Sequence, residues 1–337
     1  MGGVSGRTAT TGTVRRAWLS NLTRQLARQP IWAFVVIELL FFGLMPATRE
    51  VFFNSGNLLN VLLQSTFIGV IALGMTFVMI DGEIDLSVGA MMALAASLSV
   101  GLQPQLGLIP AALVGLASGA ALGLFNGAVT YKTGVDSFIV TLGAMLGIRG
   151  LVFVYTQQDS FFSMNFSYSD FGMSSVGAIP TLAIIFLALA VILHYVLSNT
   201  RHGRTTYAVG GNRSAALNAG VRIGRHLLIN FTLLGTLAAF SGILLSTQMG
   251  ASTPTMGTVY ELWVITAVVL GGTKLAGGHG SIVGTVGGVL AIQLLRNGMN
   301  LMQVQAYWVQ VILGTMLIVV LFIDKRTSRT ARGGVEA

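Results

Sequence analysis

The sequence contains no cysteine, so disulfide bonds, thiolate metal sites and a cysteine nucleophile are excluded. Charged residues are also scarce: they make up 9% of the 337 residues, against about 25% in ordinary soluble domains. Four scattered histidines give no indication of a metal site. Because 53% of the residues are hydrophobic, so few charges cannot cover the surface of a soluble globule. The composition therefore predicts a polytopic membrane protein.

A phosphate-binding loop is also missing, because neither GxxxxGKS nor GxxxxGKT occurs anywhere in the chain. The glycine-rich segment 271–280 (GGTKLAGGHG) departs from that pattern and is predicted to form a close-packed cytoplasmic turn. We therefore expect a protein that is not an enzyme and that has no catalytic residues, nucleotide site, cofactor or metal of its own.

Long apolar segments dominate the rest of the chain, and a membrane-spanning helix needs about 20 such residues. Residues 1–30 are polar and lack the apolar core of a signal peptide, so we predict a cytoplasmic tail there. Residues 31–326 are predicted to form an all-α transmembrane domain with about ten spans, and residues 327–337 a second cytoplasmic tail. The ten candidate spans are 31–48, 57–80, 86–102, 107–130, 136–156, 178–197, 227–249, 258–272, 280–296 and 304–323.

The positions of the basic residues predict the orientation. With the N-terminus inside, the cytoplasmic segments carry 16 of the 19 lysines and arginines, which is the bias expected of cytoplasmic loops. Ten crossings then return the C-terminus to the cytoplasm. The same bias explains the net charge of +8, so the lipid bilayer is an expected partner and nucleic acid is not.

An internal repeat is suggested by a shift of 171 residues, which places Asn126-Gly127 on Asn297-Gly298 and Gly143 on Gly314. The shift maps the fourth and fifth predicted spans onto the ninth and tenth. The two halves are therefore offset by five spans. Because five is an odd number, the halves would have opposite orientations in the membrane, as in the inverted repeats of many transporters. We predict a five-plus-five inverted repeat, with coincidence among abundant glycines as the alternative.

Three carboxylates, Asp81, Glu83 and Asp85, interrupt a long apolar stretch. Carboxylates at membrane depth are costly unless they are paired or face water, and non-helical backbone is tolerated there only inside protein or beside a cavity. Ser87 is a candidate cap for the following helix. Two interpretations remain open: a tight turn at the cytoplasmic end of a span, or a broken helix that lines a transport pathway.

Other polar groups within the predicted spans are candidates by the same argument. Glu38 is one, although it is equally suited to face another subunit or lipid headgroups. Asn126 and Asn297 suit a hydroxyl-rich ligand or, more commonly, hydrogen bonds between helices. The candidate pathway residues are Asp81, Glu83, Asp85, Ser87, Asn126, Arg149, Glu261 and Asn297.

The segment 198–226 is basic and polar, and it is predicted to be a cytoplasmic loop with a break at Gly210-Gly211. Residues 214–219 are predicted to form a short helix of small residues that is capped by Asn212 or Ser214. A simple solvated loop is one interpretation, and a docking element for a cytoplasmic protein is the favoured one. The candidate coupling residues are Arg204, Tyr207, Gly210, Gly211, Asn212, Ala215, Ala216 and Gly220.

Several segments together resemble the ribose/xylose-type sugar permeases of bacterial ABC importers, over about residues 31–326. The segments are GEIDLSVGAMMAL (82–94), SFIVTLGAMLGIRGL (137–151), YAVGGNRSAALNAGVRI (207–223), VVLGGTKLAGGHGSIVGTVGG (268–288) and NGMNLMQVQAYWVQVILG (297–314). The first and last of these look most similar to the D-xylose permeases. The N-terminal tail and the outer loop 157–177 depart from the family pattern.

The resemblance implies a permease subunit in the bacterial inner membrane that carries a monosaccharide, such as the pentoses xylose or ribose, or a related polyol. It implies a second permease copy as a homodimer, an ATPase subunit that uses ATP, and an extracytoplasmic sugar-binding protein. YAVGGN is similar to the family's loop that docks on the ATPase. The alternative is a proton-coupled secondary transporter that uses Asp81, Glu83 or Asp85.

Overall fold

The structure is a computed structural model that describes residues 31–333, so the predicted N-terminal tail lies outside the described residues. The part of the predicted C-terminal tail before residue 334 belongs to the last helix. The helices of the described range are α1 Ile31–Leu44, α2 Arg49–Phe52, α3 Ser55–Ile80, α4 Val88–Gly101, α5 Gln103–Leu106, α6 Leu108–Thr133, α7 Ser137–Thr156, α8 Phe166–Met173, α9 Thr181–Asn199, α10 Arg201–Gly211, α11 Arg213–Asn218, α12 Ile223–Met249, α13 Tyr260–Leu270, α14 Ile282–Leu301 and α15 Ala306–Gly333. Two pairs of short antiparallel strands are β1 Phe161–Phe162 with β4 Ala251–Ser252, and β2 Ser175–Val176 with β3 Ile179–Pro180.

Each of the ten predicted spans contains a helix, but the helices differ in length. In the described range, six are long and apolar enough to cross a membrane, namely α3, α6, α7, α9, α12 and α14. The other four predicted spans contain shorter apolar helices: α1, α4, α13 and the part of α15 from Tyr307 to Val319. The all-α prediction is therefore confirmed, and the count of ten crossings stays a prediction.

The central helix of the bundle is α3. Its residues 65–80 are all buried, and Phe67 and Phe77 are completely inaccessible. Helices α9, α12, α13 and α14 pack around it. Because a helix that is apolar on every side is stable only when it is surrounded, α3 forms the core on which the interrupted helices rest.

Helix α6 packs against α12 through glycines spaced four residues apart. Gly119, Gly123 and Gly127 lie on one face of α6 because residues i and i+4 are neighbours on a helix. A methyl group on Gly119 would overlap the backbone oxygen of Gly235, and one on Gly123 would overlap that of Phe231. This close backbone approach is the small-residue packing that membrane helices use.

Two non-helical segments interrupt the bundle. Residues 81–87 separate α3 from α4, and residues 250–259 separate α12 from α13. The ends of the two short helices meet, because a methyl group on Gly89 would overlap the carbonyl oxygen of Gly257. Asp85 is completely buried within the first segment. Both interpretations of this segment, a tight turn and a broken helix that lines a pathway, stay predictions.

The segment 198–226 is more helical than the sequence indicated. Its first part is helix α10, and Gly211 is the last residue of that helix, so the predicted break lies one residue further on, at Asn212. The side chain of Asn212 accepts a hydrogen bond from the Ala215 backbone N–H at 2.9 Å, which makes it the cap of α11. Ser214, the alternative cap, lies inside α11.

Candidate functional site

Asp85 organises the first non-helical segment. One of its carboxylate oxygens accepts the Ser87 backbone N–H at 2.8 Å and the Ser87 hydroxyl at 2.6 Å. The other accepts the Asn126 side-chain amide of α6 at 3.2 Å, and the same amide donates to the Ser87 hydroxyl oxygen at 2.9 Å. Ser87 occupies the cap position of α4, but its hydroxyl makes no capping hydrogen bond there. The predicted capping role of the Ser87 hydroxyl is therefore wrong, because Asp85 holds that hydroxyl.

The backbone of this segment is bonded to helix α7. Ser137 accepts the backbone N–H of Ile84 at 3.0 Å, and Thr141 accepts that of Leu86 at 3.1 Å. Both side chains are on the first turns of α7, four residues apart, so they face the same way. The extended backbone thus finds partners inside the protein, as non-helical backbone at membrane depth requires.

Asp81 joins the end of α3 to α12 and α10. It accepts hydrogen bonds from His226 at 3.1 Å and from the Asn230 amide at 2.6 Å. His202 of α10 lies 2.7 Å from the side-chain oxygen of Asn230. Burial lowers the pKa of His202, and the hydrogen bond to Asn230 offsets part of this effect because it raises the pKa. A neutral imidazole that carries its proton on Nε2 completes a chain of hydrogen bonds from α10 to Asp81.

Glu83 provides a second link between the broken segment and the short helices, in this case to α11. Its carboxylate forms an ion pair with Arg213 of α11 at 2.9 Å. The Arg213 side chain is 49% exposed, and such surface pairs contribute only about 0–1 kcal/mol to stability. The pair therefore serves to position α11 rather than to hold the fold together.

Helix α10 also lies directly on the C-terminal end of α3. A methyl group on Gly210 would overlap the Ile80 carbonyl oxygen, which in turn accepts the Gly278 backbone N–H at 2.8 Å. Tyr207 donates to the backbone oxygen of Gly280 at 2.8 Å. The segment 271–280 is thus a close-packed turn, in agreement with the sequence prediction.

We expect Gly210→Ala to separate α10 from α3, because the added methyl group meets a backbone atom that cannot move aside. Overpacking costs typically about 1–3 kcal/mol, and the melting temperature of the purified protein should fall accordingly. Gly211→Ala is the matched control, since nothing lies within 4 Å of a methyl group there. Equal melting temperatures for the two variants would contradict the packing described.

Arg149 of α7 and Glu261 of α13 lie beside the second non-helical segment. The Arg149 guanidinium donates to the backbone oxygens of Pro254 and Met256, both at 2.8 Å. It therefore holds the segment 250–259 in the way that Ser137 and Thr141 hold the first. Glu261, on the first turn of α13, contacts the position of Gly89. The two charged residues do not form an ion pair with each other within the described part of the chain.

Asn297 is bonded to α3 and lies beside a polar cavity. It exchanges two side-chain hydrogen bonds with Asn57, at 2.8 and 3.0 Å. The cavity between α3 and α14 was missed by the sequence reasoning, although amides recur four residues apart on α3 and three and four apart on α14. It is lined by Asn60, Val61, Gln64, Gln293, Arg296, Asn297 and Asn300.

The remaining candidates lie in three environments. Glu38 is buried, and neither carboxylate oxygen has a hydrogen-bond partner among the described residues. Ala216 is buried against Val209 and Leu227, so the prediction that it contacts a partner directly is wrong: the helix turns this alanine inward. The exposed coupling candidates are Arg204, Gly211, Asn212, Ala215 and Gly220, while Tyr207 and Gly210 are partly buried.

These features together are typical of a multi-pass membrane transport component: long apolar helices, two interrupted helices, and the short helices α10 and α11 attached to one of the interruptions. The profile of the permease component of branched-chain amino acid transport systems matches residues 57–321. The chain belongs to this family, whose members are transport components of the inner membrane rather than enzymes.

Curated relatives align with most of the chain. The ribose import permease of Bacillus subtilis is 41% identical over 81% of this chain and 85% of its own length. The ribose import permease of Escherichia coli K12 is 35% identical over 92% and 95%, and its xylose permease 30% over 88% and 91%. Identity is thus higher to these ribose permeases than to the xylose permease, the reverse of the order that the motifs indicated. No solved structure matches the chain.

Proposed function

We propose that this protein is the membrane-spanning permease subunit of a binding-protein-dependent ABC importer for a monosaccharide or related polyol. The observation that carries the proposal is the similarity to permeases named for ribose and xylose, over more than four-fifths of the chain. The proton-coupled alternative is not favoured, because the relatives are permeases of import systems for ribose and xylose. The partners of its three carboxylates, His226, Arg213 and Ser87, are described above.

The proposed energy source is ATP hydrolysed by a separate subunit that contacts α10 and α11. Leu217 on α11 is 60% exposed, and Ala215 and Ala219 are exposed beside it. An exposed apolar surface next to the ion pair of Glu83 suits a protein partner. Movement of that partner would reach the broken segment through Arg213 and His202.

The proposed topology has ten crossings, both termini in the cytoplasm and two inverted halves. Both halves contain a long buried helix, a non-helical segment and a short helix: α3, 81–87 and α4 in one, and α12, 250–259 and α13 in the other. The short helices meet at their N-terminal ends, at Gly89 and Gly257. Such a meeting of broken helices is typical of the midplane site of inverted-repeat transporters.

A second copy of the chain is the proposed membrane partner. Gly143, Gly147 and Gly150 lie along the outer side of α7, where a methyl group would meet nothing within 4 Å. Small residues on an unoccupied face favour helix association in membranes. The hydrogen bonds of Asp81, Asp85 and Asn126 give these three pathway candidates the proposed role of positioning the broken segment.

Vesicles that contain this protein, its ATPase and its binding protein should take up D-ribose when ATP is supplied, even with a protonophore present. Leu217→Arg should reduce uptake strongly, because it places a long cation in the proposed contact, while leaving the melting temperature of the permease unchanged. Vesicles without the ATPase serve as the control. Uptake by the permease alone, driven by an imposed pH gradient, would instead support the proton-coupled transporter.

A further inference from the structure

The polar cavity between the first turns of α3 and the last turns of α14 has a volume of about 200 Å³. Five amide side chains and one guanidinium line it, with Val61 as the apolar exception. Ligand sites for drug-sized molecules are typically about 300–1,000 Å³, so this cavity suits a small solute. No acidic side chain lines it, which makes it a poor site for a cation.

Some of the side chains that line the cavity form hydrogen bonds with other described residues, and others do not. Gln293 donates to the backbone oxygen of Gln64 at 2.8 Å, and Asn297 is paired with Asn57. The side chains of Asn60, Gln64 and Asn300 form no hydrogen bond with any residue that the structure describes. Asn60 and Asn300 are exposed and Gln64 is partly buried, so these three amides can exchange hydrogen bonds with water for hydrogen bonds with a molecule in the cavity.

Arg296 is held at the wall of the cavity by an aromatic ring. Its guanidinium carbon lies 4.2 Å from the ring centre of Trp263 on α13, and Tyr260 packs on the same tryptophan at 5.0 Å. A stacked guanidinium keeps its donors in a fixed direction. Its single side-chain hydrogen bond within the described chain is a long one, 3.4 Å to Gln293.

We propose that this cavity is a binding site for a neutral polyhydroxylated solute, a monosaccharide or a polyol, within a single copy of the chain. An amide both donates and accepts hydrogen bonds, as does each hydroxyl of such a solute, and Arg296 adds donors for its oxygen atoms. The proposal rests on the proposed function in its choice of ligand class. It places a sugar contact on α3 and α14, apart from the meeting point of Gly89 and Gly257.

The absence of cysteine from the native chain makes the site directly testable. Asn60→Cys in the full-length protein, held in lipid nanodiscs, provides one thiol at the cavity for a water-soluble methanethiosulfonate reagent. D-ribose, D-xylose and galactitol should slow its modification, about threefold at twice the dissociation constant by one-site mass action. Ser55→Cys, exposed one turn further out on α3, is the matched control and should react at an unchanged rate.

A second variant separates binding from general effects of sugar on the bilayer. Gln64→Leu in the Asn60→Cys protein should abolish protection, and since the Gln64 side chain makes no hydrogen bond within the described chain, the melting temperature should stay the same. Protection that survives this change would overturn the proposal. So would protection by sodium phosphate but not by the sugars, which would indicate an anion site, and a lack of protection by any of these solutes.

The labelling needs neither ATP nor a partner protein. Its result therefore does not depend on whether the protein transports sugar. Protection by D-ribose together with no ATP-driven uptake would support the cavity and reject the import function. ATP-driven uptake together with unprotected Asn60→Cys would support import and reject the cavity as a sugar site.

Discussion

Replacing Gly89 with alanine should prevent the protein from reaching its folded state. The new methyl group would overlap the Gly257 carbonyl oxygen and meet the Glu261 carboxylate. Most residues of α4 are buried, so this helix cannot move away as the more exposed α10 can. Overpacking costs typically about 1–3 kcal/mol, and the cost at Gly89 should therefore exceed that range. The measurement is the yield and melting temperature of detergent-purified protein.

Gly56→Ala is the control for the Gly89 variant. Gly56 lies on the first turn of α3, where the nearest atom to a new methyl group is the flexible side-chain oxygen of Asn54, at 3.3 Å. This variant should be purified in normal yield and should have the same melting temperature as the wild type. A Gly89→Ala protein that behaves in the same way would show that the two short helices do not meet as described.

Asp85→Ala should have the second-largest effect, because it leaves the Ser87 backbone N–H, the Ser87 hydroxyl and the Asn126 amide without their shared acceptor. Each unsatisfied buried donor costs about 1–3 kcal/mol. Asp85→Asn keeps an acceptor for Ser87. The Asn126 side-chain oxygen has no partner in the described chain. After a rotation of the Asn126 amide, this oxygen can accept a hydrogen bond from the new amide at position 85.

The two Asp85 variants therefore distinguish hydrogen bonding from charge. If Asp85 acts as an acceptor, Asp85→Asn should retain most of the wild-type melting temperature and ATP-driven uptake, while Asp85→Ala loses both. An equal loss of melting temperature and uptake in the two variants would mean that the negative charge of Asp85 is required. The role of Asp85 as a neutral hydrogen-bond acceptor would then be rejected.

The sequence was sufficient to predict the helices but not their partners. The long apolar runs predict the membrane spans, and the three nearby carboxylates predict that one of these runs is interrupted. Both predictions need only the local composition of the chain. The bonds that stabilise the interruption join residues far apart in the chain, such as Asp81 with Asn230, 149 residues away, and no local pattern encodes them. Only the structure shows that Asp81 is bonded to α12 and is linked to α10 through Asn230.

One wrong prediction and one missed cavity have the same physical origin. The small residues of α11 do not show which side of the helix turns inward, so the sequence gives no sign that Ala216 is buried. Of the amides on α3 and α14 the sequence singles out only Asn297, whose interhelical hydrogen bond the structure confirms with Asn57. The convergence of these amides on one cavity depends on the pairing of two helices more than 200 residues apart, as the Asn57–Asn297 bond illustrates.

The broken segment also constrains the order in which the protein is assembled during synthesis. Its three carboxylates lie at residues 81–85, but apart from Ser87 their partners are Asn126, Arg213 and the His226–Asn230 pair, 41 to 149 residues later. Glu83 lacks its partner until Arg213 has been synthesised, and Asp81 lacks its own until α12 has been synthesised, while an unpaired charge within the bilayer is costly. The first half of the protein therefore reaches its final packing only when the second half arrives, and a chain truncated before residue 213 should remain a target for membrane proteases.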